Sequence, residues 1–118
     1  MDAQTRANLE KCGVNFDITL ERFMGNEDLY FKFLKKFLND ESYSLLLNCI
    51  DEKDFEKAFS AAHTLKGVSA NLGLDNLNNS TQKIVEKFRA KDYEDYDGML
   101  EEIKEQYDIA VDVIKQLQ

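Results

Sequence analysis

Proline is absent from this 118-residue sequence, and its five glycines are well separated. These two residue types disfavour helix interiors most strongly, whereas the helix formers Leu, Glu, Lys and Ala are abundant. The sequence therefore predicts an all-α fold with short connections. Its length predicts one domain spanning residues 1–118.

The chain also lacks any apolar run approaching the roughly 20 residues that span a bilayer. The segment from Met1 to Arg6 does not have the basic and then apolar character of a signal peptide. No basic amphipathic stretch suggests binding to a membrane surface. We therefore expect a cytoplasmic protein with no membrane partner.

Positive charge is scarce, since 15 Lys and Arg residues stand against 23 Asp and Glu residues and give a formal charge of −8. Nucleic-acid binding is driven by basic surface that neutralises phosphates. We therefore do not expect a nucleic-acid partner.

Metal-ligating side chains are equally few: two cysteines, Cys12 and Cys49, and a single histidine, His63. The cysteines show no metal-ligand spacing, and one histidine cannot complete a Cys/His zinc site. The di-iron helical bundles need two histidines. We expect two reduced thiols and no metal site in this chain.

Helix signals divide the chain after a short helix or arm at residues 1–12. The predicted helices cover residues 16–24, 27–50, 55–72, 76–90 and 93–117. Four of them are long, and short connections make consecutive helices antiparallel neighbours. We expect an antiparallel up-down-up-down four-helix bundle with a short N-terminal helix packed over one end.

Side chains at the helix ends support these boundaries. Asn26, Asp54, Asp75 and Asp92 are predicted N-caps, and Gly73 is predicted to be the left-handed residue that ends a helix.

The helix predicted at residues 27–50 has an apolar face broader than one neighbour requires. Its central stripe consists of Leu29, Phe33, Phe37, Leu45 or Ser44, and Cys49. The residues that widen this stripe are Tyr30, Phe31, Leu34, Leu38, Leu46 and Ile50. We expect the helix to pack against two others or to expose some aromatic surface.

The only histidine lies in the predicted helix 55–72 but outside its apolar stripe. That stripe consists of Phe55, Ala58, Phe59, Ala62, Leu65, Ser69 and Leu72. On a helical wheel His63 is about 100° or more from the middle of the stripe. We therefore expect His63 at the edge of the buried face or outside it.

His63 shares its helix face with Lys66, Gly67 and Ala70, at spacings i, i+3, i+4 and i+7. A glycine inside a helix costs roughly 1 kcal/mol relative to alanine, so Gly67 requires a reason. Either another molecule approaches the imidazole there, or a neighbouring helix packs closely. The spacing leaves both explanations open.

The sequence shows no complete catalytic apparatus around this histidine. Hydrolytic catalysis needs a nucleophile, a base and an orienting group, and no Cys or Ser pairs with His63 at a recognisable spacing. Glycine-rich phosphate loops are also absent. An exposed imidazole near a lysine remains, which can accept a transferable electrophile and hand it on.

The segment Ala62-His63-Thr64-Leu65-Lys66-Gly67, continued by Ala70-Asn71-Leu72-Gly73, resembles the signature of bacterial histidine-containing phosphotransfer (HPt) domains. The segment from Leu20 to Glu27 ahead of a long helix, and Asp54-Phe55 ahead of the motif, are similar to that family as well. The resemblance covers about residues 13–116.

The resemblance implies a phosphorelay intermediate and not an enzyme. His63 would be the phosphoacceptor, taking a phosphoryl group from a receiver-domain aspartyl phosphate and passing it to another receiver aspartate. Lys66 would neutralise phosphoryl charge, and Gly67 would leave room for the receiver. The chain would have no cofactor of its own, because the receiver would hold the Mg²⁺.

The resemblance also implies partners and two alternatives. The expected partners are response-regulator receiver domains, with a hybrid histidine kinase as a further candidate, bound by a monomer. Ala70, Phe31 and Leu34 are the candidate docking residues. The alternatives are an HPt-like module of a larger hybrid histidine kinase and a scaffold that binds receivers without transferring phosphate.

Overall fold

Seven α-helices and one short 3₁₀ turn form the regular structure of residues 1–117, the part of the chain that the computed structural model describes. In chain order they are α1 (Ala3–Glu10), α2 (Phe16–Arg22), α3 (Glu27–Lys36), the 3₁₀ turn (Phe37–Asn39), α4 (Ser42–Asp51), α5 (Phe55–Asn71), α6 (Asp75–Arg89) and α7 (Asp97–Lys115). No strand occurs in these residues, and the predicted all-α class is confirmed.

The helix that carries His63, α5, has the most extensive packing. It packs against α4 and against α6, and α6 packs in turn against α7. At the N-terminus, α1 contacts α7, where the Asn8 side-chain amide donates a 3.2 Å hydrogen bond to Gln116 Oε1. None of the helices in residues 1–117 combines the length and apolar character that crossing a bilayer requires.

Side-chain caps explain where α3 and α5 begin. The Asn26 side chain accepts a 3.0 Å hydrogen bond from the Leu29 amide, and the Asp54 carboxylate accepts one of 3.2 Å from the Lys57 amide. Both predicted N-caps are confirmed. The prediction for Asp75 is wrong, because Asp75 is the first residue of α6 and Leu74 is its N-cap, without a side-chain hydrogen bond.

The long helix predicted at residues 27–50 is interrupted. After α3 and the 3₁₀ turn, Asp40 has an extended backbone with φ −72° and ψ 131°. Its carboxylate accepts a 2.9 Å hydrogen bond from the Ser42 amide and a second one from the Ser42 hydroxyl. Short polar side chains compete with helical hydrogen bonding in this way, so the Asp40 side chain ends one helix and starts the next.

The apolar stripe predicted for residues 27–50 is displaced by one residue in α3. Tyr30 and Leu34 are fully buried, whereas Phe33 and Leu45 are 38% and 50% exposed. A buried tyrosine hydroxyl needs a hydrogen-bond partner, and Tyr30 donates one of 2.8 Å to the Leu72 carbonyl. That partner explains why the Tyr30 side of the broad apolar face turns inward.

The last helix begins at Asp97 and not at Tyr93 as predicted. Lys91 and Asp95 have φ of 59° and 54°, in the left-handed region, which interrupts helical geometry. The Asp92 carboxylate accepts hydrogen bonds from Lys87 Nζ at 2.9 Å and from the Glu94 amide at 3.1 Å. These bonds, that from Lys87 first, lower the pKa of Asp92. Asp92 therefore holds the turn after α6 and is not an N-cap.

Candidate functional site

The His63 helix is fixed at its C-terminal end by residues from α2 and α3. The Arg22 guanidinium donates a 2.7 Å hydrogen bond to the Ala70 carbonyl, next to the Tyr30 bond to Leu72. Gly73 follows with φ +75°, as predicted for the residue that ends this helix. An added Cβ at Gly73 would lie 2.5 Å from Thr19 Oγ1, so the chain leaves α5 along a path that only glycine fits.

The buried face of α5 consists of Ala58, Ala61, Ala62, Leu65 and Ser69. His63 lies outside it and is exposed, as the helical wheel predicts. Small side chains on the buried face let α4 and α6 pack closely on either side. The exposed imidazole therefore lies on a helix that is held in place by packing against α4 and α6.

His63 opens into a shallow cleft of about 380 Å³ between α5 and α6. The Phe59 ring, one turn earlier on α5, has its centroid 6.1 Å from the centroid of the imidazole. The residues that line the cleft are Phe59, Ser60, His63, Thr64 and Arg89. An imidazole in this setting is accessible to a reactant in solution.

The structure tests one of the two explanations of Gly67, close packing of a neighbouring helix. Gly67 is exposed, and a Cβ added to it would have no atom of residues 1–117 within 4 Å, apart from its chain neighbours and nearby helix backbone. Close approach of a neighbouring helix is therefore not the reason for this glycine. The space beside Gly67, on the turn that follows His63, is open.

Lys66 is half-buried on the turn that follows His63. Its backbone carbonyl accepts hydrogen bonds from the Asn78 side-chain amide at 2.9 Å and from Ser69 Oγ at 3.0 Å. Because Asn78 belongs to α6, this bond joins the two helices that form the His63 cleft.

The three candidate docking residues differ in how far they are buried. Leu34 is fully buried in the core and cannot contact a partner, so that prediction is wrong. Phe31 is half-buried and lines a cleft whose other walls, Asp28, Lys32 and Lys35, belong to α3 alone. Ala70 is half-buried on α5.

Two apolar residues that the sequence analysis places in the central stripe of the predicted helix 27–50, Phe33 of α3 and Leu45 of α4, line clefts beside α5. Phe33 lines a cleft of about 350 Å³ together with Val68 and Leu72 of the α5 end. Leu45 lines a neighbouring cleft of about 320 Å³ with Ala61 and Thr64. Exposed apolar side chains of α3 and α4 thus flank α5.

Metal ligands do not converge in the described part of the chain: residues 1–117 contain no group of three or more His, Cys, Asp and Glu side chains that could hold a metal ion. Cys12 and Cys49 are free thiols, and both are buried.

The described residues thus present one exposed histidine on a helix, with the half-buried Lys66 and the exposed Gly67 on the next turn. A family model described as Hpt domain matches residues 32–112, more than half of the chain. The chain therefore belongs to the Hpt domain family, whose members are phosphocarriers of two-component phosphorelays that interact with receiver domains. Comparisons with curated proteins and with solved structures give no match.

Proposed function

We propose that His63 accepts a phosphoryl group from a receiver-domain aspartyl phosphate and passes it to the aspartate of another receiver. The observation that carries this proposal is the exposed imidazole beside open space at Gly67, on a helix held at its end by Arg22 and Tyr30. A phosphocarrier needs a nucleophile that its partners reach and a scaffold that does not move it.

The transfer requires only one nucleophilic atom from this chain. The lone pair of His63 Nε2, the ring nitrogen farther from the backbone, attacks phosphorus in line with the P–O bond to the receiver carboxylate. An N–P bond forms, the P–O bond breaks, and its electron pair returns to the carboxylate. The reverse attack by a second aspartate regenerates the imidazole, so the chain is a carrier and not an enzyme.

Lys66 and Gly67 support this step in different ways. The Lys66 ammonium, one turn from His63, offsets the negative charge of the phosphoryl group through charge-assisted hydrogen bonding. Gly67 leaves the space that the receiver loops and the phosphoryl group occupy. The Mg²⁺ that neutralises the transferring oxygens belongs to the receiver, and this chain needs no cofactor of its own.

Receiver docking uses the exposed apolar residues that flank α5. Phe33 and Leu45 replace Leu34 and Phe31 in this role, because they line clefts that α5 shares with α3 and α4. Ala70 adds a small side chain on the same helix. An apolar centre with a polar rim around His63 fits a transient protein interface.

The proposal also covers the architecture, the localisation and the oligomeric state of the chain. The fold would be an up-down-up-down bundle with α1 over one end. It would form one domain whose HPt core spans about residues 13–116, and this domain would act as a monomer in the cytoplasm. A hybrid histidine kinase is a further partner class. Support comes from short connections, such as that between α5 and α6, because they favour antiparallel neighbours.

The test is to incubate the full chain with a phosphorylated receiver domain and Mg²⁺. We expect a phosphate label on the chain that is labile in acid and stable in base, and its loss in His63→Gln. An unlabelled wild type, or undiminished label on His63→Gln, would disprove the proposal. A scaffold that only binds receivers would keep its receiver affinity in both forms and take up no label in either.

A further inference from the structure

The His63 cleft has a cationic residue that the phosphocarrier proposal does not yet use. Four of its lining residues, Phe59, Ser60, His63 and Thr64, belong to α5, and the fifth, Arg89, reaches in from the last turn of α6. Apart from His63 itself, Arg89 is the one basic side chain among them. A guanidinium and the nucleophilic imidazole therefore border the same 380 Å³ of solvent-accessible space.

Two weak contacts position Arg89 at this cleft. Its guanidinium carbon lies 5.7 Å from the centroid of the Phe59 ring, the ring that also neighbours His63. Its Nη1 is 2.6 Å from Glu86 Oε1, on the same helix. The Arg89 and Glu86 side chains are 50% and 52% exposed, and an exposed ion pair of this kind contributes little net stability. The Phe59 ring and Glu86 thus hold the guanidinium at the cleft, and neither contact is strong enough to prevent it from binding an anion there.

A phosphoryl group on His63 would bring about two negative charges onto the surface of a chain whose formal charge is already −8. Lys66 supplies one positive charge from α5. A guanidinium presents planar, paired N–H donors that match two phosphoryl oxygens, which an ammonium cannot do. The cleft therefore offers a phosphoryl group on His63 a guanidinium from α6, while Lys66 lies on the turn of α5 that follows His63, outside the residues that line the cleft.

We propose that Arg89 is a phosphoryl-binding residue, whose guanidinium exchanges Glu86 for the oxygens of the phosphoryl group on His63. This inference rests on the phosphocarrier function proposed above. It adds that α6 takes part in the site and that Phe59 guides the guanidinium. Bound this way, Arg89 shifts the phosphoryl-transfer equilibrium from the donor towards phosphorylated His63.

The test uses phosphoramidate, a small donor that phosphorylates imidazole with release of ammonia and needs no receiver. We expect Arg89→Gln to lower the equilibrium occupancy of phosphorylated His63 at limiting donor, corresponding to an equilibrium constant about three- to ten-fold smaller. Arg89→Lys, which keeps the charge but not the paired donors, should fall between. Glu86→Gln is the matched control, since it removes the ion pair but leaves the guanidinium, and should match or exceed the wild type.

A structural measurement accompanies these occupancies. In a ¹⁵N spectrum of arginine side chains, the Arg89 Nε–H resonance should shift on phosphorylation of the wild type, and should not shift when His63→Gln is treated identically. Wild-type occupancy in Arg89→Gln, or equal losses in Arg89→Gln and Glu86→Gln, would overturn the role of Arg89 while leaving His63 as the acceptor. Failure of phosphoramidate and of a phosphorylated receiver to label the wild type would instead overturn the phosphocarrier function, and this inference with it.

Discussion

The side-chain amide of Asn78, on α6, donates a 2.9 Å hydrogen bond to the backbone carbonyl of Lys66, on the turn of α5 that follows His63. Carbonyls inside a helix ordinarily bond only within that helix. This bond therefore fixes α6 against the part of α5 that carries the proposed site. Arg89 lies farther along α6, so the same bond helps to set where Arg89 stands relative to His63.

We predict that Asn78→Leu lowers the free energy of unfolding by about 1 kcal/mol, because one hydrogen bond is lost while the Lys66 carbonyl keeps other donors. Asn78→Asp should cost more, about 2 kcal/mol, since it places a carboxylate against a carbonyl oxygen. Urea unfolding measures both. The matched controls are the same substitutions at the neighbouring, exposed Asn79, which should change stability by less than about 0.5 kcal/mol. Equal effects at the two positions would contradict a role for the bond.

Gly67 gives a second prediction, because it has open space around it and sits in a helix. Gly67→Ala should raise the free energy of unfolding by roughly 0.5–1 kcal/mol through the helix propensity of alanine. Gly67→Gln should leave the fold intact but slow phosphoryl transfer from a receiver by at least about tenfold, since misplacing the reactants by even an ångström is costly.

Gly98 is the matched control for both Gly67 variants. It also lies in a helix with nothing within 4 Å of an added Cβ, and its purpose is unexplained. Gly98→Ala should stabilise the protein to a similar or smaller extent, and Gly98→Gln should leave the transfer rate unchanged. Transfer that is equally fast in Gly67→Gln and Gly98→Gln would mean that the space beside His63 has no role in docking.

Most of the helices could be predicted because their signals are local. The Asn26 and Asp54 caps and the glycine after α5 act on neighbouring backbone, so residue type and spacing are enough. The break at Asp40 was not predicted, since the apolar pattern continues through it and the competing hydrogen bonds to Ser42 come from a common residue type. The start of α7 was missed for a similar reason, because the left-handed residues there are Lys91 and Asp95 and not glycines.

The residues of the candidate site also fall into two groups: those set by local sequence signals and those set by packing between helices. The exposure of His63 follows from the phase of one helix, and sequence spacing found it together with Lys66 and Gly67. Arg89 was missed because its place at the cleft depends on how α6 packs against α5, for which the sequence carries no local signal. Leu34 was misplaced because the face of α3 that turns inward is chosen by the bond between Tyr30 and Leu72, residues 42 positions apart.

The corrected face of α3 and α4 leads to a third prediction. Phe33→Asp and Leu45→Asp should each weaken receiver binding by roughly tenfold, since they place a charge in the apolar centre of the proposed interface. Leu45 is 50% exposed, so Leu45→Asp should change thermal stability little, whereas Phe33→Asp also loses the contact of its ring with Phe23 at 5.5 Å and should be somewhat less stable. Affinity is therefore compared at a temperature at which thermal unfolding shows each variant to be folded. Calorimetric titration with a receiver domain measures the affinity. Met24, which is 84% exposed and lines neither of the flanking clefts, is the control position. Equal losses of affinity in Met24→Asp would contradict this surface.

The buried thiol of Cys12 makes stability depend on alkaline pH. Cys12 is 2% exposed, and burial raises its pKa from 9.0 to about 11. The folded state therefore keeps a proton that the unfolded state loses, and the stabilisation it provides is complete below about pH 9 and is lost as pH rises towards 11. A pKa difference of this size corresponds to about 2–3 kcal/mol. Cys12→Ala lacks the titrating group but retains every other one.

We therefore expect Cys12→Ala to be less stable than the wild type at pH 7 because of the cavity it leaves. Its disadvantage should shrink by about 2 kcal/mol as the pH rises from 8 to 11, since only the wild type loses the contribution of the protonated thiol. Guanidinium unfolding of both proteins at a series of pH values measures this difference, and other ionising groups cancel in the comparison. A disadvantage that stays constant up to pH 11 would mean that Cys12 ionises equally easily in the folded and unfolded chain, contrary to its burial between α1 and α2.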